Sequence, residues 1–84
     1  MKQGAMRRYP RTQRAIAAEL KHARVEAGYA SARSLSLAMG EDHNFVWLLE
    51  NQAEPGAGRI YAVCKFLKVR PSTFWARVER RLKA

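Results

Sequence analysis

The sequence predicts a single all-α domain of five short helices. Apolar side chains recur every three or four residues in several segments, as they do along one face of a helix. Glycine and proline separate these segments, and none of them alternates apolar and polar residues as a half-buried strand does. An 84-residue chain has room for one core, which we assign to residues 10–84. Residues 1–9 lack periodicity and are expected to form a flexible basic arm.

The first helix is expected to begin near Pro10 with Thr12 as its N-cap, and Gly28 can end it in the left-handed conformation. Its predicted inner stripe is Ile16, Leu20, Ala23 and Ala27. Ser31 is a suitable N-cap for a short second helix that ends at Gly40. The predicted inner face of this helix carries Leu35, Ala38 and Met39.

Asp42 is the expected N-cap of a third helix that runs to about Asn51. Only Glu41 separates Asp42 from Gly40, so the second and third helices must cross at a steep angle. The composition of residues 54–58 predicts a loop. The fourth helix then has the strongest amphipathic pattern in the chain, formed by Ile60, Val63, Cys64 and Leu67. Pro71 suits the first turn of the fifth helix. The predicted inner residues of this helix are Phe74, Trp75, Val78 and Leu82.

Positive charge is concentrated at the two ends of the chain. Sixteen Lys and Arg against seven Asp and Glu give a net charge of +9. Residues 1–14 contribute +5 and residues 70–84 contribute +4, whereas residues 15–69 sum to zero. A polyanion is therefore the expected partner, nucleic acid first and an anionic membrane surface second.

Other chemistry finds little support in the sequence. The single cysteine, Cys64, excludes an internal disulfide and lies on an apolar stripe, where a core role is expected. His22 and His43 lack metal-ligand spacing, and no glycine-rich phosphate loop is present. No apolar run is long enough to span a membrane, and the apolar residues of 74–84 are needed for the core. We expect no enzymatic activity, cofactor, metal or small-molecule substrate, and a cytoplasmic location.

A series of landmarks covers residues 14–75. The first helix supplies Leu20 and Arg24, and the second and third supply Leu35, Met39, Gly40, Val46, Leu49 and Glu50. Ile60, Val63, Cys64, Leu67, Val69 and Phe74 follow. This order resembles the Cro-like, phage-repressor (XRE-type) helix-turn-helix family. The resemblance implies a compact lambda-repressor-like domain with its helix-turn-helix at about residues 31–51. It also implies a small repressor-like regulator of transcription that binds double-stranded DNA, as a homodimer, at the nucleoid of a bacterial or phage-infected cell.

Helical geometry places Val46 and Leu49 on the inner side of the third helix. The family reads bases from the opposite side, which here carries His43, Asn44, Trp47 and Leu48. Asn44 can pair with adenine, His43 with guanine or a phosphate, and Leu48 with a thymine methyl group. Asn44 and His43 can equally be ordinary surface residues.

The candidate contacts to the DNA backbone are Arg7, Arg8, Arg11, Arg14, Ser31, Arg33 and Arg59. Family members often place glutamine at the start of the second helix, where this chain has Ala32. Ser31 or Arg33 would then have to contact the phosphate. Arg24 and Glu50 match the family's ion pair between the first and third helices, and Arg24 could also reach a phosphate.

An apolar patch leaves a second interpretation open. Phe45, Trp47 and Leu48 together are unusual for a helix that reads bases, and such patches often mark protein contacts. The same fold could therefore be a protein-interaction module, such as a phage-encoded factor or an antitoxin-like partner. Alternatively, Phe45 folds back into the core. For a homodimer, the expected surface is the fifth helix, anchored by Trp75 and Val78.

Overall fold

Five helices form the secondary structure of residues 10–51 and 56–84, which are the residues that the computed structural model describes. In chain order they are α1 (Pro10–Glu26), α2 (Ala32–Ala38), α3 (Phe45–Asn51), α4 (Ala57–Leu67) and α5 (Pro71–Lys83). No strand occurs in these two ranges, so the predicted all-α class is confirmed. No helix in them is long and apolar enough to cross a membrane. The predicted arm at residues 1–9 lies outside the described residues.

The core lies where the inner faces of the five helices meet, with α1 packed against both α3 and α5. Its most deeply buried side chains include Leu20, Leu35, Val46, Val63 and Phe74. The predicted stripe of α4 is confirmed, with Ile60, Val63 and Cys64 buried and Leu67 packed against the core. Ala27 was expected to be inside but is exposed, because α1 ends at Glu26 and the chain turns away there.

Helix boundaries depart from expectation at three places. Residues 57 and 58 were expected in the loop at 54–58 but already belong to α4, because Gly56 serves as the N-cap of this helix. Thr12 is not an N-cap, because α1 already includes Pro10, whose fixed φ angle suits a first helical turn. The third helix begins at Phe45 rather than directly after Asp42. Asp42 does accept a hydrogen bond from the backbone N–H of Asn44 at 3.0 Å, but this bond closes a turn that precedes the helix.

The two glycine predictions and the Ser31 cap are confirmed. Gly28 and Gly40 have φ angles of +96° and +77°, a region that favours glycine. Ser31 and Ser34 form a reciprocal capping box at the start of α2. The tight turn at Gly40 then directs the chain away from α2 and into α3.

Two faces were assigned incorrectly. Trp75 was expected inside α5 but is 41% exposed, and Ala38 on α2 is also exposed. Val78 was expected to anchor a dimer but is only 3% exposed. Phe74 and Val78 are four residues apart and face the core together, so Trp75, one residue beyond Phe74, is rotated to the flank of the helix.

Candidate nucleic-acid interface

The inner side of α3 is buried and its outer side is open. Val46 and Leu49 are almost completely buried, whereas Trp47 is 45% exposed and Leu48 is 38% exposed. His43 and Asn44 are exposed as well, but they lie in the turn that precedes α3 and not in the helix itself. The four predicted reading residues are therefore all exposed in α3 or the turn before it, and we call them the α3 face (His43, Asn44, Trp47 and Leu48). Within it, Trp47 lines a depression on the side of α1 and Leu48 lines a cleft on the side of α4.

Phe45 takes a different position from its neighbours. It is half-buried and packs against the core. Only Trp47 and Leu48 thus remain as large exposed apolar side chains on α3. The expected apolar patch is smaller than the sequence alone indicated.

A buried serine fixes the start of α3 against α2. The Ser36 hydroxyl donates to the carbonyl of Ala32 at 2.9 Å and accepts from the backbone N–H of Val46, also at 2.9 Å. The first N–H groups of a helix have no partner within the helix, so an acceptor from elsewhere is needed where they are buried. Sequence reasoning missed Ser36, because a serine in a short helix usually faces solvent.

A buried ion pair holds the other end of α3. Arg24 Nε donates to Glu50 Oε2 at 2.9 Å, and Arg24 Nη1 donates to the carbonyl of Tyr29, also at 2.9 Å. The Arg24 and Glu50 side chains are only 6% and 7% exposed. The predicted pair between the first and third helices is therefore formed. Its burial gives Arg24 a structural role and keeps it from a phosphate.

The predicted backbone-contacting residues occupy several parts of the surface. Arg33 is exposed on α2 and Arg59 is exposed at the start of α4. Arg59 lines an open cleft beside α3 together with Leu48, but the acidic side chains of Glu41 and Asp42 line the same cleft. These two carboxylates oppose an anion there. Ser31 is exposed, and its hydroxyl oxygen accepts from the backbone N–H of Ser34 at 3.0 Å, which leaves its O–H able to donate.

The predicted contacts near the N-terminus are only partly described. Arg11 and Arg14 are exposed on α1, and Arg11 Nη2 donates to the carbonyl of Leu82 on α5 at 2.8 Å. Arg7 and Arg8 lie outside the described residues. Arg11 and Arg14 therefore belong to the side of α1 that faces α5, rather than to the immediate border of α3.

One cation beside α3 was missed. Lys21 is exposed on α1 and lines a surface depression together with Trp47 and Asn51 of α3. Lys21 lies three residues before Arg24, and residues at that spacing share one side of a helix. Once Arg24 is paired with Glu50, the same spacing predicts that Lys21 borders α3.

Cys64 has the expected core role. It is 2% exposed on α4, and burial raises the pKa of its thiol, with the negative charge of Glu19 adding to the increase. A protonated, buried thiol is a poor nucleophile. In residues 10–51 and 56–84, no group of three or more His, Cys, Asp and Glu side chains is placed to hold a metal ion.

No protein-family model matches this chain, and no curated protein or solved structure matches it either. The features of the molecule that bear on function are the open α3 face, the buried contacts behind it and the distribution of positive charge.

Proposed function

We propose that this protein binds double-stranded DNA sequence-specifically as a small transcriptional regulator of the repressor type. In this proposal α2, the Gly40 turn and α3 form a helix-turn-helix of the lambda-repressor-like kind. One observation supports it: buried contacts hold the inner side of α3, while its outer side is open. A helix in that state can enter the major groove, which is about 12 Å wide.

The chemistry of the α3 face suits contacts with base edges. The Asn44 amide can donate to and accept from adenine, and the Leu48 side chain can pack on a thymine methyl group. His43 can donate to guanine or to a phosphate. All three side chains are exposed. Arg33 adds an exposed cation on α2, next to α3, where the phosphate backbone would pass. Arg59 on α4 is a second exposed cation there, although Glu41 and Asp42 in the same cleft offset its charge.

A homodimer would use the flank of α5 that carries Trp75. This indole is 41% exposed and stands edge-to-face against Phe74, with ring centroids 5.3 Å apart. Val78 is buried and takes no part in this surface. A two-fold dimer would place its half-sites about 34 Å apart or a multiple of that distance, which is one or more turns of the duplex.

Salt titration of duplex binding tests the proposal first. A protein that neutralises phosphates releases counterions, so its affinity for duplex DNA must fall steeply as salt rises. Fluorescence anisotropy with a labelled random-sequence duplex measures this slope. Duplex affinity that is absent at low salt, or that does not change with salt, would contradict the proposal.

Two variants then test the reading of bases on a selected duplex. Asn44→Ala should reduce the preference for that duplex by about 5- to 150-fold, the equivalent of ~1–3 kcal/mol for one bidentate contact, and keep non-specific binding. His43→Ala is compared with His22→Ala, since each histidine is about half exposed and lies within 4 Å of one acid, Asp42 for His43 and Glu26 for His22. His22 lines a depression with Arg77 and Arg81, away from the α3 face. His43→Ala should therefore lower the ratio of affinities for selected and random duplexes, whereas His22→Ala should leave this ratio unchanged; equal ratios would remove His43 from the α3 face.

The alternative, a protein-interaction module, is favoured by the exposure of Trp47 and Leu48. Leu48 and the half-buried Phe45 also line the open cleft between α3 and α4. Under this alternative, Trp47→Ala would leave duplex affinity unchanged at every salt concentration. Under the DNA-binding proposal, the same substitution should weaken binding to the selected duplex.

A further inference from the structure

The described parts of the two basic ends, residues 10–14 and 70–84, lie on helices that pack together. α1 and α5 pack side by side, and Arg11 Nη2 reaches the carbonyl of Leu82 at 2.8 Å. Farther along, Arg81 Nε donates to Glu19 Oε1 at 2.9 Å. The cations that lie far apart in the sequence therefore share one surface.

This surface is continuous from α3 to α5, as a chain of three neighbouring depressions shows. The first contains Trp47, Ala18 and Lys21, and the second contains Ala18 again with Arg11, Arg14 and Arg81. The third contains Arg81 again, and its other cations are Arg77 and Arg80. We call this surface the basic track (Lys21, Arg14, Arg11, Arg81, Arg77 and Arg80).

Several cations of the track form no ion pair with the described residues. Among the described residues, no carboxylate oxygen comes within 4.0 Å of the charged nitrogens of Arg14, Lys21 or Arg80. All three side chains are exposed. They are therefore available to an external anion.

The other part of the track is organised by a buried carboxylate. The Glu19 side chain is 3% exposed, with Arg81 Nε at 2.9 Å from one oxygen and Arg77 Nη1 at 3.8 Å from the other. Glu26 also lies 3.9 Å from Arg77. A guanidinium has five N–H donors, so Arg81 keeps donors for an outside acceptor after its Nε is bound. Glu19 thus orders the two arginines, and its charge together with that of Glu26 offsets theirs, so the net positive charge of the track lies on Arg11, Arg14, Lys21 and Arg80.

We propose that the basic track binds the sugar–phosphate backbone of the duplex that the α3 face reads. The proposal rests on the proposed function and extends it to Lys21, Arg77, Arg80 and Arg81. The track begins at the Trp47 edge of α3, so a backbone leaving that edge meets a row of cations that crosses α1 and reaches α5. Such contacts carry no base information and contribute affinity to every sequence.

The charge and polarity of the basic track favour a DNA duplex over a membrane surface as its binding partner. A helix that binds in a bilayer interface needs an apolar face to insert. The apolar residues Phe74 and Val78 of α5 are buried in the core, which leaves Trp75 as the one large exposed apolar side chain of this helix, and Arg80 is bordered by Ala76, Glu79 and Lys83. The track therefore offers cations and small side chains, which suit a phosphate backbone.

The test compares a variant that lacks two cations of the track with a variant that lacks two cations elsewhere on the surface. The track variant is Arg14→Gln with Arg80→Gln, and the matched control is Lys65→Gln with Arg70→Gln. All four side chains are exposed, and each pair changes the net charge by the same amount. Both variants should keep the wild-type unfolding midpoint, which circular dichroism checks.

The measured quantity is the slope of log affinity against log salt for a random-sequence duplex. Loss of two phosphate contacts should make this slope shallower by about 1.8, since each contact contributes about 0.9. The control should change it much less, and the ratio of affinities for selected and random duplexes should stay constant in the track variant. Equal slopes for the two variants would overturn the proposal. So would a track variant that loses binding only to phosphatidylserine vesicles.

The same data separate this inference from the proposed function. A reduced slope without any sequence preference would support the track and contradict base reading by α3. A sequence preference that depends on Asn44, together with an unchanged slope, would support the α3 face and refute the track.

Discussion

The buried ion pair between Arg24 and Glu50 gives the sharpest prediction about stability. Glu50→Gln keeps the shape of the side chain but removes its charge. The Arg24 guanidinium would then stay buried with only neutral acceptors, the Tyr29 carbonyl and the new amide oxygen. Because both side chains are at most 7% exposed, solvent cannot compensate for the lost charge.

The expected loss of stability in Glu50→Gln follows from the burial of this pair. Removal of one partner from a buried pair typically destabilises a protein by about 3–5 kcal/mol, whereas an exposed pair contributes only about 0–1 kcal/mol. For an 84-residue domain, each 1 kcal/mol corresponds to a shift of roughly 4–8 °C in Tm. Glu50→Gln should therefore lower Tm by well over 10 °C. Replacement of both partners, as Arg24→Met with Glu50→Leu, should recover much of the loss, since no unpaired charge remains.

Urea and thermal unfolding, followed by circular dichroism, measure these differences for Glu50→Gln and for the double variant. A matched single variant is His22→Ala, which removes a member of an exposed pair with Glu26 and should cost less than about 1 kcal/mol. If Glu50→Gln costs no more than this control, Arg24 and Glu50 are screened by water. The pair would then not hold α3 in place.

Three further predictions follow from the contacts around α2, α3 and α4. Ser36→Ala leaves the buried N–H of Val46 without its acceptor and should lower the free energy of unfolding in urea by about 1–3 kcal/mol. Ser72→Ala, at an exposed site, should change this free energy by no more than about 0.5 kcal/mol. Equal losses would refute the role of the Ser36 hydroxyl. Gly40→Ala should lower the free energy of unfolding by about 1–2 kcal/mol. The φ angle of +77° alone accounts for this loss, because an added methyl group meets no atom within 4 Å. An unchanged midpoint of urea unfolding would show that the turn relaxes. Burial raises the pKa of the Cys64 thiol above its ordinary value of 9.0, so the unfolded state loses this proton at a lower pH than the folded state. The free energy of unfolding should therefore fall as pH rises through that value. Cys64→Ala should lack this part of the fall, and identical pH profiles of stability for the two proteins would exclude a contribution from Cys64.

Periodicity predicted the helices and most of the core because burial repeats every three to four residues. The stripe of α4 and the inner pair Val46 and Leu49 follow from spacing alone. Trp75 shows the limit of this reasoning. Its size favours burial, but Phe74 and Val78 fill the inner face of α5 and leave the indole on the flank.

Polar contacts between helices could not be predicted in the same way. Ser36 and Glu19 each have partners far away in sequence, so no local pattern distinguishes them from surface residues. The Arg24–Glu50 pair was expected only through the resemblance to a family. The basic track likewise required the packing of α5 against α1, since its two halves lie at opposite ends of the chain.

The most direct test of base reading by the α3 face is selection of bound sequences from a random duplex pool with the wild-type protein and with Asn44→Ala. The account predicts that the wild type enriches a defined sequence, as an inverted repeat if it acts as a dimer, and that Asn44→Ala loses or changes this sequence while still retaining DNA. A wild-type pool that remains random after repeated rounds, or an identical enriched sequence from both proteins, would contradict it.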